Sequence, residues 1–186
     1  YFMCGLPTET DEDVAAIARL AQEVSNLRRR VSGRPGQVTV NVAPFVPKPH
    51  TPFQWEPMIG LERMHETRRL LLARLKSRSV KVKYHRPERS FLEGAFSRGD
   101  FRLGDVLLRA RAAGCRFDAW DELFDFGAWS AAFEAAGLDP AEYACRRRSP
   151  EERLPWAHID PGVTVDFLRR ELDRARRGEL TPYCME

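Results

Sequence analysis

The chain opens on a short apolar run, Tyr1-Phe2-Met3-Cys4, stopped by Gly5-Leu6-Pro7, the pattern of a buried strand entering a turn at its C-terminal end. Thr10 then stands as a good N-cap, and Asp11, Glu12 and Asp13 complement a helix dipole. Val14, Ile17, Ala18, Ala21 and Val24 recur on one helical face until Gly33, Pro35 and Gly36 end the pattern. The β-branched run over 38–42 predicts a second strand, and Pro44, Pro47, Pro49 and Pro52 make its exit stiff and extended. Leu61, Met64, Leu71, Leu72 and Leu75 mark another amphipathic helix, and residues 80–84 alternate like a half-exposed strand. The order is β-α-β-α-β. Strands separated by helices of this length lie parallel, so the pattern predicts an α/β sheet or barrel. Two complete βα units cannot close a barrel, and the expectation is therefore a piece severed from a larger one.

The second half reads as mainly helical. Helices are predicted over 105–113, stopped by Gly114, and over 128–136, stopped by Gly137. Asp139-Pro140-Ala141-Glu142 resembles a capping box with proline at the first helical position, which starts another short helix. Val165, Leu168, Leu172 and Ala175 give a last helix closed by Gly178. The expected organisation is an α/β region over 1–85 and a helical region over 86–186.

Composition narrows the classes. Of 186 residues 43% are apolar, enough for a core, while 31% are charged and no run of 18 apolar residues occurs, which excludes an α-helical membrane span. The start inside an apolar run, with no basic segment leading into an apolar one, is not the pattern of a leader peptide or of a native start. Cys4, Cys115, Cys145 and Cys184 have no half-site spacing for zinc or iron–sulfur, so the first three read as small buried apolar side chains and the usage suits reduced thiols in a cytoplasm. The net charge of +3 conceals a polarity: 61–89 holds ten Lys/Arg against three Glu, and 117–145 holds seven Asp/Glu and no Lys or Arg. Solvated faces account for both. A non-catalytic binding module using the basic segment for RNA or another acidic partner is the rival reading, and Tyr84 as its lone aromatic makes a poor stacking surface.

Two segments carry a family resemblance. Residues 1–13, with Gly5-Leu6-Pro7-Thr8-Glu9-Thr10-Asp11 at their centre, are similar to the late-barrel strand and turn of radical S-adenosylmethionine enzymes. Pro44-Phe45-Val46-Pro47-Lys48-Pro49-His50-Thr51-Pro52-Phe53-Gln54-Trp55 resembles the proline-rich exit of the next strand, with agreement in order and spacing. Ser90-Phe91-Leu92-Glu93-Gly94, Ser97-Arg98-Gly99-Asp100, Phe117-Asp118-Ala119-Trp120 and Leu154-Pro155-Trp156 narrow the likeness to large radical S-adenosylmethionine proteins of undefined activity. Those proteins often carry a cobalamin-binding-like region before the barrel.

The resemblance implies the C-terminal part of a (β/α) radical S-adenosylmethionine barrel followed by a helical region, with the rest of that barrel as its partner. It implies S-adenosylmethionine and a [4Fe-4S] cluster as cofactors, and it allows cobalamin. The Cys-x-x-x-Cys-x-x-Cys motif that binds the cluster is absent from this chain, so the chain is not expected to be catalytic alone. Ligand groups in such barrels sit at the C-terminal ends of strands, which makes Gly5, Leu6, Pro7, Glu9, Asn41, Val42 and Pro44 the candidate cofactor-binding residues. Turn chemistry accounts for Gly-Leu-Pro and Glu9 equally well. Lys48, His50, Gln54 and Trp55 lie further along, where a substrate would enter, and no second ligand at a usable spacing makes His50 a metal site. Relatives continue from a similar Thr-Pro-x-Cys into a cysteine-rich tail, which marks Cys184 as a candidate metal ligand, although Tyr183 stands where aspartate is commoner. Arg98 and Asp100 are expected to form an exposed ion pair, and Trp120, Trp129 and Trp156 to be core.

Overall fold

The structure, a computed structural model, describes residues 1–75 and 77–181. They form two compact units, one comprising Tyr1–Phe45 and Ile59–Ser90, the other Val46–Met58 and the described residues from Phe91 onward.

The first unit contains β1 (Phe2–Cys4), α1 (Asp11–Ser32), β2 (Val38–Pro44), α2 (Leu61–Arg74) and β3 (Val80–Tyr84). Its three strands are parallel in the order β1-β2-β3, with Phe2 opposite Val42, Cys4 opposite Pro44 and Val38 opposite Val80. The expectation of a barrel piece is corrected here. The sheet is open: β1 is only three residues long and pairs on one side alone, so the fold is an open α/β arrangement with two free edges.

Local chemistry explains the elements. The Thr10 hydroxyl accepts from the Asp13 amide at 3.3 Å while the Asp13 carboxylate accepts from the Thr10 amide at 2.8 Å, a reciprocal cap that starts α1. Gly33, at φ 71°, ends it by donating its amide to the Arg29 carbonyl. One face of α1 packs Val14, Ile17, Ala18 and Ala21 on Cys4, Val40, Val42 and Val80, and Leu71 of α2 joins the same cluster. Val24 departs from the predicted stripe and is 50% exposed. A 22-residue helix is about 33 Å long and a seven-residue strand about 23 Å, so the far end of α1 overruns the sheet.

The second unit holds a 3-10 helix (Pro52–Trp55), α4 (Leu103–Ala112), α5 (Phe126–Ala135), α6 (Pro140–Ala144) and α7 (Val165–Arg176). A further helix, α3 (Pro87–Ser97), links the two sets of residues. Trp55, Leu154, Trp156, Leu168 and Leu172 form one core, and Phe96 meets Trp129 edge to face at 5.5 Å in another contact. Trp129 and Trp156 are buried as expected, whereas Trp120, in a turn whose amide bonds the Phe117 carbonyl, is 61% exposed. Arg98 is also corrected: it is fully buried and donates to the Ala144 and Arg146 carbonyls at 2.6 and 2.8 Å, while Asp100 pairs with Arg102. Among the described residues, no helix is long and apolar enough to cross a membrane.

Candidate cofactor-binding edge

Because β1 and β2 run parallel with Cys4 opposite Pro44, the chain leaves both strands at the same edge of the sheet. The Phe45 amide extends the ladder by donating to the Cys4 carbonyl at 2.7 Å. Just beyond Cys4 the chain reverses: the Glu9 amide donates to the Leu6 carbonyl at 3.1 Å, with Pro7 and Thr8 at the corners. Pro7 suits the first corner by its fixed φ, and Thr8 occupies the second at φ 72°, where a β-branched residue is strained.

Gly5 has φ 90°, and a Cβ there would lie 2.7 Å from Ile59 Cδ1. Both conditions require glycine, and the closely approaching group is this chain's own Ile59. The Gly5 amide donates to both Glu9 carboxylate oxygens at 2.9 Å. Burial raises the Glu9 pKa above its ordinary 4.5; the Gly5 and Leu6 amides pull it down, Asp13 pushes it up and Arg63 draws it down. The Cys4 thiol is fully buried and pushed up to about 12, first by burial and then by the Glu9 charge, which keeps it protonated and unreactive.

The fold thus brings Gly5, Leu6, Pro7 and Glu9 into one turn and sets Pro44 beside its root. Asn41 and Val42 are separated by the pleat. Val42 is fully enclosed in the core beneath α1 and α2, so its side chain has no route to a ligand. Asn41 is half-buried on the other face, away from the α1 and α2 cluster, the face that also carries Ala43 and its exposed partner Met3. A groove of about 450 Å³ runs along the free edge of β1, lined by Phe2, Met3, Leu6, Pro7, Ile17 and Leu20.

Other predicted residues lie in the second unit. Lys48 is engaged by Glu93 and by Ser97 at 3.0 Å, and Gln54 accepts from the His50 amide and the Trp156 indole. Cys184 lies outside the described residues. Cys4, Cys115 and Cys145 are free thiols, and no group of three or more potential metal ligands occurs among the described residues. The described side chains therefore do not fit an iron–sulfur cluster. Sequence reasoning passed over Ile59, which shapes the turn, because an isolated isoleucine after a loop carries no signal of the glycine it will cover.

No family model and no solved structure matches the chain. An uncharacterised protein of Methanocaldococcus jannaschii is 34% identical over 107 residues, 58% of this chain and 22% of that protein. The match thus spans about a fifth of the relative's length.

Proposed function

We propose that this chain is part of a radical S-adenosylmethionine enzyme and that its sheet edge forms part of the pocket for that cofactor. The observation that supports this reading best is the register of Cys4 opposite Pro44, which gathers both motif-bearing segments at the C-terminal edge of a parallel sheet. Ligands of open α/β sheets bind outside that edge. In this reading Leu6 and Pro7 make apolar contact with the adenine, and Asn41 offers an amide from the face of the sheet away from α1 and α2. Gly5 and Pro44 shape the backbone, and Glu9 holds the turn by engaging the Gly5 amide. A cluster for reductive cleavage of the cofactor would be held by residues other than the described thiols of this chain.

A nucleic-acid-binding module gains less support. Arg68, Arg69, Lys81 and Lys83 are exposed, but Tyr84, the aromatic of that basic stretch, packs against the sheet core and provides no stacking platform.

Photoaffinity labelling with an azido-adenine analogue of S-adenosylmethionine tests the assignment on the gene product that contains this chain. Label should appear within 5–9 or 41–44 and be competed by unlabelled cofactor. Competable label confined to other peptides would overturn the assignment of this edge.

A further inference from the structure

Beside the face that packs on the sheet, α1 carries a second apolar stripe. Leu20, Val24, Leu27 and Val31 follow one another at intervals of four, three and four residues, and each is between 49% and 84% exposed. The pattern begins at Ile17, which the core of the unit takes, and the other four side chains are left to solvent. Single exposed apolar residues are ordinary on a protein surface, but a continuous row along one helix marks an interaction face. An average interval of 3.5 residues is the narrow seam of a coiled coil, distinct from the wider stripe by which a helix meets a globular core.

The residue types say which partner fits. In heptad terms Ile17, Val24 and Val31 occupy a positions, and Leu20 and Leu27 occupy d positions. β-branched residues at a with leucine at d favour two parallel strands. In a parallel symmetric pair each layer sets a residue against its own copy, so the seam is self-complementary.

The flanking charges agree. Glu23 falls at g and Arg28 at e, and a g residue of one parallel helix faces the e residue five positions on in the other. Glu23 therefore faces the partner's Arg28, twice about the two-fold axis. Both side chains are exposed, and neither has an ion-pair partner among the described residues. An antiparallel seam would set Glu23 against Arg30 instead, and would mix valine and leucine in every layer. The seam is about 18 Å long, short for an isolated coiled coil. Because α1 is already held on the sheet by its cap and its core face, pairing bears no cost of helix nucleation.

We propose that this flank of α1 is a self-association surface, through which two copies of the chain pair as a parallel two-stranded coiled coil over 20–31, flanked by two Glu23–Arg28 ion pairs. The surface does not depend on the cofactor assignment.

Sedimentation equilibrium of the gene product that contains this chain should show a monomer–dimer exchange between micromolar and millimolar concentration. Leu27→Asp should abolish it without loss of helical circular dichroism, because Leu27 is exposed in the single copy. Glu23→Arg and Arg28→Glu should each weaken the dimer about five-fold, as two exposed pairs pass from attraction to repulsion, and the double variant should restore the parent affinity. In oxidised glutathione, Val24→Cys should form a disulfide with its own copy, whereas Arg29→Cys, on the outer face of the seam, should not. A monomeric gene product at millimolar concentration, in which another segment covers the flank, would overturn the proposal. So would a dimer untouched by Leu27→Asp, charge reversals that do not rescue one another, or rescue of Glu23→Arg by Arg30→Glu in place of Arg28→Glu.

Discussion

The amide of Gly5 donates to both carboxylate oxygens of Glu9, four residues further along, at 2.9 Å each. A carboxylate folded back on the backbone in this way fixes the turn that leaves β1 before any ligand arrives. It also places an ionisable group where burial opposes its charge.

The pH dependence of Glu9 follows with a definite sign. Its pKa is raised on folding, chiefly by burial, so the folded chain holds this proton more tightly than the unfolded chain does. That stabilisation is complete below the ordinary value of 4.5 and is lost as pH rises through the raised folded value. Glu9→Gln removes the titration, so the variant should gain stability relative to the parent as pH rises through that window. Urea unfolding of both proteins from acid to neutral pH measures the difference. A pH-independent difference would show that the Gly5 and Leu6 amides offset burial, and one of opposite slope that they outweigh it.

Gly5→Ala should destabilise the first unit through two separable causes. The positive φ costs a side-chain-bearing residue about 1–3 kcal/mol, and the clash with Ile59 adds a cost of similar size. In a double-mutant cycle with Ile59→Ala, the clash should be relieved and the φ cost retained, giving a coupling of about 1 kcal/mol or more. Strict additivity of the two substitutions would mean that Ile59 does not cover Gly5.

Glu56 is 1% exposed and is held by both Arg147 and Arg176, which ties α7 to the segment after the 3-10 helix. Replacing it by glutamine removes the buried charge that the two half-exposed arginines share and should cost about 1.5–3 kcal/mol. Arg147→Ala should cost less, because Arg176 still neutralises the carboxylate. Chemical denaturation measures both, and a Glu56→Gln change within about 1 kcal/mol of the parent would refute the clamp.

Much of the fold was legible in local pattern. The N-cap at Thr10, the strand at 38–42 and the alternation before Tyr84 each depend on neighbours within a few residues. What failed depended on distance. Arg98 stands two residues from Asp100, yet it reaches carbonyls 46 and 48 residues away, and nothing in the local charge pattern signals them. Val24 continued a correct helical stripe, but it lies at the stripe's edge, and Ser25, one residue on, takes the buried position. Sheet closure was misjudged for a related reason: alternation of strands and helices defines parallel pairing without fixing how many strands pair. For the candidate site, the shared exit of β1 and β2 followed from the alternation, whereas which of Asn41 and Val42 faces the helices required the packed structure.

Cofactor cleavage tests the central proposal most directly. The gene product that contains this chain, reconstituted anaerobically with iron and sulfide and reduced with dithionite, should convert S-adenosylmethionine to 5′-deoxyadenosine and methionine in equal amounts. Leu6→Asp, which places a charge in the proposed adenine contact, should lower that rate about ten-fold or more while leaving the cluster absorbance unchanged. A cluster-loaded protein that forms no 5′-deoxyadenosine, or a gene product that takes up no cluster, would contradict the account.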